Sequence, residues 1–243
     1  MEGVGGVMQH DLFQQVSGGA NPTPTLHVVP VKKKEAAAFV TTKHYSRTMP
    51  VFWMAFALVE CGFIEGVVVY GQPSPPIQKY AFLNRDFRLF ELSRLVVQTK
   101  TRNAASFLIS RSLSMLPKPC AVISYADTEF GHCGIVYQAT NWIYTGEVKA
   151  HDRCYVVDGV RMRPLTIRDK FGITAPAKWA KENNVQTIPP MAKHRYFYFV
   201  GDKRQKKAMR TKLSYPVVSP YPKLPAARYD DGEMIKLPMS GVE

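Results

Sequence analysis

Residues 121–148 read AVISYADTEFGHCGIVYQATNWIYTGEV, and the fold turns on how that run is parsed. Ala121 to Tyr125 is apolar and β-branched, the composition of a buried strand. Ala126 to Gly131 is polar and reads as a loop. Ile135, Val136 and Ala139 then recur at helical spacing, which predicts a short helix around His132 to Thr140. A further strand starts at Trp142. Strand, loop, helix and strand in this order belong to an α/β chain. The order puts Asp127 just past the C-terminal end of a strand, where such sheets hold ligands and chemistry. Tyr137 lies on the following helix, placed to face the same cleft.

Working outward, composition limits what the protein can be. A chain of 243 residues with 46% hydrophobic content is long enough for one large domain with a proper core. No apolar run approaches the ~20 residues that span a bilayer, and the N-terminus shows no secretory signal. The net charge of +13 calls for a polyanionic partner, nucleic acid or an anionic membrane. With no amphipathic anchor or lipidation signal, the sequence favours nucleic acid and no membrane. Charge alone does not separate DNA from RNA. Cys61, Cys120, Cys133 and Cys154 include no C-x-x-C pair and read as reduced structural thiols.

Met1 to Pro24 is Gly-rich and reads as a flexible tail, residues 25–213 as one domain, and residues 214–243 as a Pro-rich tail. Leu26 to Val31 is a short strand, placed at an edge by Pro30. Lys32 to Tyr45 reads as a helix stopped by Pro50. Its end carries Lys43, His44, Tyr45 and Arg47: an imidazole able to exchange protons near neutrality, a phenol and two cations. A surface helix end whose cations complement the helix dipole explains the same residues.

Val51 to Glu60 and Phe63 to Gly71 form a hairpin turning at Glu60-Cys61-Gly62. Gly71 to Pro76 reads as an extended loop that cannot be helical. Phe87 to Gln98 is the central strand, interrupted by Glu91 and by Arg94, a substrate contact or an ordinary ion-pair partner. After Thr99 comes a helix over Ala105 to Leu116, whose N-terminal amides suit phosphate beside Lys100 and Arg102. Val157 to Pro190 reads as an insertion carrying two short helices. Lys193 to Val200 alternates as a strand. Lys203 to Leu213 is a basic helix whose Lys203, Arg204, Lys206, Lys207 and Arg210 suit a phosphate backbone.

The run Val136-Tyr137-Gln138-Ala139-Thr140-Asn141-Trp142 resembles the Leu-Tyr-x-x-x-Gly-Phe helix end of Gcn5-related N-acetyltransferases. The longer wording ISYAD…GHCGIVYQATNWIYTG resembles, more specifically, the Mom proteins of Mu-like bacteriophages, from about Val28 to Lys223. The resemblance implies an α/β (α+β) fold: a mixed central sheet flanked by helices, with a basic C-terminal extension. It implies an enzyme that places a carbamoylmethyl group on the exocyclic nitrogen of adenine. The substrate would be double-stranded DNA in the cytoplasm of the infected bacterium, and the modification would shield phage DNA from host restriction.

In acetyltransferases of this fold, the position of Tyr137 protonates the leaving thiolate of coenzyme A. The strand carrying Val96 and Val97 lines the acyl-donor site. The corner of Thr99, Arg102, Asn103, Ala104 and Ser106 takes the pyrophosphate. Here the sequence departs from the family, because no glycine occurs between Val96 and Cys120 to match the usual Arg-x-x-Gly-x-Gly/Ala loop. The donor is therefore either an acyl-coenzyme A or another phosphate-bearing species such as glycyl-transfer RNA.

The catalytic set implied is His44, Tyr45, Ser124, Asp127 and Tyr137, with His44 or Asp127 as base, Tyr137 as acid and Ser124 polarising a carbonyl. A target amine in duplex DNA must be flipped out of the stack. Lys43, Arg47 and Arg94 would contact the nucleic acid, and Tyr45 and Trp142 would stack on the base. His44, Tyr45, Asp127 and Tyr137 also make a mixed oxygen and nitrogen set for iron, though no ligand spacing demands a metal. Two other readings compete. A non-catalytic nucleic-acid binder on a degenerate fold fits the charge, and an acetyltransferase of proteins or small amines fits the fold.

Overall fold

A computed structural model describes residues 25–44, 49–128, 131–149, 153–189 and 191–223. In chain order the first half runs β1 (His27–Pro30), α1 (Lys33–Lys43), β2 (Phe52–Glu60), β3 (Phe63–Gly71), α2 (Pro75–Tyr80), β4 (Arg88–Val97), α3 (Ala104–Met115) and β5 (Cys120–Asp127). The second half runs α4 (Ile135–Ala139), β6 (Ile143–Val148), β7 (Cys154–Val157), β8 (Val160–Met162), α5 (Pro164–Phe171), α6 (Pro176–Glu182), β9 (Thr187–Ile188), β10 (Lys193–Val200) and α7 (Lys203–Lys212).

Seven strands form the main sheet in the order β1-β2-β3-β4-β5-β10-β6, antiparallel throughout except for the parallel pair β4–β5. This is the mixed central sheet flanked by helices that the sequence implied. The crossover helix α3 makes the parallel pair possible, because a parallel return needs a long connection. Antiparallel neighbours need only turns, and β2 and β3 meet through Cys61 and Gly62, both at positive φ.

Side-chain alternation assigns the helices to faces. Val68, Tyr70, Phe90 and Val122 point to the side covered by α3 and α4, packing with Leu108, Ile109 and Trp142. Val67 and Val69 point the other way and pack on Ala36 and Val40 of α1. On that same side Leu89, Ala121, Ile123 and Phe197 meet Met209 of α7. Each such fully buried aliphatic contributes about 1.5–3 kcal/mol relative to exposure, so both faces are held by burial.

Two local expectations need correction. The Gly71–Pro76 stretch is not wholly extended, because Pro75 and Pro76 open α2. At these first positions the missing N–H groups cost nothing and the fixed φ suits a helix. The helix expected over His132–Thr140 shrinks to α4, because Gly134 at φ +79 provides its N-cap. A smaller sheet, ordered β8-β7-β9, packs with α5 and α6 around Tyr155, Met162, Ile167 and Ala180. Among the described residues no helix is long and apolar enough to cross a membrane, and all four cysteines are free thiols.

Candidate active site

The parallel pairing of β4 with β5 is short. It runs from Arg88 against Cys120 to Glu91 against Ile123, and both strands continue well beyond it. The cause lies on the other edge of β4. Val69 faces Arg94 and Tyr70 faces Leu92, so Ser93 is an extra residue, a bulge that bends β4 away from its neighbour. Above Glu91 and Ile123 the two strands no longer pair, which leaves a slit between them.

Ser124, fully buried, is the first β5 residue past the junction. Its hydroxyl lies 2.8 Å from the Leu92 carbonyl and 2.7 Å from the Tyr137 phenol oxygen. Ser124 has a single proton to give, and both oxygens lie within its reach. Tyr137 comes from α4 and is wedged between the rings of Trp142 and Tyr196 at 5.0 and 5.2 Å. The sequence-derived pair of Ser124 and Tyr137 thus meets at the apex of the slit, on the α3 and α4 side.

Alternation along the strands sends Glu91, Arg94, Tyr125 and Asp127 to the opposite face, where α1 ends in His44. Burial first, then the charge of Arg94 and the nearby His132, push the His44 imidazole down to about 4. It is therefore a neutral imidazole at physiological pH. The chain packed around His132 lowers its proton affinity too, partly offset by Asp127. Burial raises the Glu91 carboxyl, against the pull of Arg94 and Lys193. Asp127 pairs with Lys193 at 2.8 Å, directly across β5 and β10. The Arg94 guanidinium donates to the Ser93 carbonyl at 2.6 Å and so caps the bulge.

Val96 is buried against α1, and Val97 packs on the α3 face. Asn103 caps α3 in the left-handed conformation, at φ 62, which does the work of the missing glycine. Ala104 is buried, while Arg102 is exposed and Thr99 and Ser106 are half-buried nearby. This corner also holds a carboxylate, since Thr101 donates to Glu60 at 2.5 Å. A negative charge there opposes a pyrophosphate. Lys43 is exposed at the end of α1, and Lys203, Arg204, Lys206, Lys207 and Arg210 line the exposed side of α7. Tyr45 and Arg47 lie outside the described residues.

Trp142 is a correction. It is fully buried in the core, its ring tilted against those of Tyr137 and Tyr198, so it supports Tyr137 instead of meeting a base. The iron set is not assembled either. Tyr137 faces one side of the sheet, and His44 and Asp127 face the other. Among the described residues no group of three or more His, Cys, Asp or Glu is placed to hold a metal ion. Sequence reasoning missed His132 as a site residue and treated Glu91 only as an ion-pair partner.

The model of the Mom protein family matches residues 25–223. The chain belongs to the Mom protein family. The family resemblance first seen in Ala121–Val148 is borne out. A curated member, the methylcarbamoylase Mom of Escherichia phage Mu, is 30% identical over 202 residues, covering 77% of this chain and 80% of that one. Among solved structures, this Mom family member is similar to Arabidopsis thaliana NAA60 in complex with acetyl-CoA, at 11% identity and a TM-score of 0.44, covering 72% of this chain and 99% of that one. It is also similar to an N-acetyltransferase from Staphylococcus aureus Mu50, at 13% identity and a TM-score of 0.42, covering 72% and 99%.

Proposed function

We propose that this chain is an acyltransferase-like enzyme that modifies phage DNA, converting adenine to its carbamoylmethyl form on the exocyclic nitrogen. The observation that carries the reading is the slit between β4 and β5. A phenol stands at its apex on one face, bonded through Ser124, and a neutral imidazole lies on the other. The exocyclic amine of adenine is a poor nucleophile, so it must be held against an activated carbonyl while a proton leaves. His44 takes that proton. Tyr137 gives its own to the leaving group, and the unpaired strand edges above the junction orient the acyl group. Asp127 and Lys193 hold the rim. The net charge of +13 and the cations of α7 supply affinity for the DNA backbone. The enzyme would act in the cytoplasm of the infected host, with the product shielding phage DNA from restriction.

A plain acetyl transfer would leave an acyl group on the amine, not a carbamoylmethyl group. An activated glycine, delivered as glycyl-transfer RNA or as an acyl-coenzyme A, resolves the difference. The glycyl carbonyl first acylates the exocyclic nitrogen and releases the carrier. The free glycyl amine then attacks the purine carbon bearing that nitrogen, closing a five-membered ring. Breaking the original carbon–nitrogen bond expels that nitrogen as the amide and leaves carbamoylmethyl-adenine.

The test is mass spectrometry of nucleosides from plasmid DNA of expressing cells grown with nitrogen-labelled glycine. Wild type should give a heavier deoxyadenosine labelled at the ring-attached nitrogen. Tyr137→Phe should lower its yield about 10²–10⁴-fold, the usual worth of a positioned acid. Unmodified DNA from soluble wild-type protein would sink the enzymatic reading, and an unlabelled ring-attached nitrogen would sink the glycine route.

A further inference from the structure

The cations of α7 do not end with the helix. Its last turn docks on the segment before β4. The Leu83 amide donates to the Lys212 carbonyl at 2.9 Å, Phe82 bridges to Leu213, and Lys212 Nζ reaches Asp86 at 2.7 Å. Beside this junction opens a cavity of about 500 Å³, lined by Arg85, Asp86, Arg88 and Lys118 with Phe87 and the two prolines of the α3–β5 turn. Asp86 is the one carboxylate of that lining, and Lys212 already neutralises it. Arg85 is pinned to the Phe87 carbonyl at 3.0 Å, and the Phe87 ring is set edge-on against buried Phe82 at 4.9 Å. Arg85, Arg88 and Lys118 are exposed at the mouth. Three cations on a braced backbone, with no acid left uncompensated, suit phosphate oxygens.

The cleft stands apart from the chemistry. Arg88 opens β4, and Arg94 lies six residues along it at the slit. At about 3.3 Å per residue the separation is ~20 Å, or about six base pairs of duplex at 3.4 Å each. α7 adds Lys203, Arg204, Lys206, Lys207 and Arg210 beside the cleft, on the face that also carries His44 and Arg94.

We propose that the Arg85–Arg88–Lys118 cleft is a phosphate-binding site for the duplex flanking the target base, continuous with α7 and remote from the slit. This rests on the reading of the protein as a DNA-modifying enzyme. The cleft contributes binding energy away from the reacting atoms and sets the minimum length of DNA that the enzyme grips fully.

The experiment measures affinity of the full chain, without donor, for adenine-centred duplexes of rising length across a salt series. Wild type is compared with the triple variant Arg85→Ala, Arg88→Ala and Lys118→Ala. On long duplexes the slope of log affinity against log salt should become shallower by about 2–3, at about 0.9 per lost phosphate contact. On duplexes extending less than about six base pairs from the adenine, the two proteins should bind alike. The charge-retaining Arg85→Lys, Arg88→Lys and Lys118→Arg variant should keep the wild-type slope, which separates charge from folding. Equal slopes on long duplexes would overturn the proposal. So would a shallower slope for transfer RNA alone, titrated in the same salt series, which would give the cleft to the donor. A chain with the expected slopes that leaves deoxyadenosine unmodified would defeat the enzymatic reading and leave the cleft standing.

Discussion

His44 reaches its place at the end of α1 by giving up its charge. Its folded value of about 4 lies below the ordinary 6.5, so the unfolded chain takes up a proton that the folded chain refuses. The stability tied to this difference is fully present above pH 6.5 and is lost as pH falls through about 4. A His44→Asn variant should therefore lose less stability over that window than wild type, read as urea midpoints at successive pH values. Parallel curves would show that the imidazole is not desolvated. For the same reason the wild-type modification rate should show no imidazole limb between pH 6 and 7. That Tyr137 lies on a helix was legible from sequence, because Ile135, Val136 and Ala139 recur at helical spacing. His132 and Glu91 were not. Glu91 owes its setting to register against Ile123, and His132 to a loop that folds back so that its amide donates to the Asp127 carbonyl at 3.2 Å. Neither relation exists in the linear chain.

At the scale of the element, the short helix α4 is held from outside itself. Gln138, next to Tyr137, donates from its amide to the carbonyls of Cys133 and Pro222 at 2.9 and 3.0 Å. Tyr221 donates to the Trp142 carbonyl at 2.6 Å, so the chain after α7 straps α4 from around the β6 edge. Gly134 starts the helix where a Cβ would come within 2.5 Å of the Tyr196 ring, at a φ of +79. A Gly134→Ala substitution adds left-handed strain of about 1–2 kcal/mol and overpacking of about 1–3 kcal/mol. It should lower the thermal midpoint and, by shifting Tyr137 from Ser124, cut modification more than DNA binding. Unchanged product yield would show that α4 tolerates the shift. Strands such as Lys193–Val200 were legible because alternation is a local property. The Ser93 bulge that opens the slit was not, since a bulge is a mismatch between two strands and leaves no mark on one.

Across the whole molecule, the chain divides its burial between two sheets. The seven-stranded sheet carries the slit, while β7, β8 and β9 with α5 and α6 close around their own small core. Ile167 lies at the centre of that core with no exposed surface, packed among Tyr155, Met162 and Ala180. Truncating a fully buried isoleucine removes about 2–5 kcal/mol, more than so few buried side chains can spare. The loss should stay local, because the elements of this unit pack chiefly against one another. Ile167→Ala should therefore speed amide hydrogen exchange across residues 153–189 and leave β2, β3, β4 and β5 at wild-type protection. Faster exchange spreading into β10, which follows the small sheet directly in the chain and carries Lys193 opposite Asp127, would mean that the two units unfold together. In that case the small sheet would be part of what holds the rim of the slit in place, and the same substitution would lower the yield of modified adenine as well.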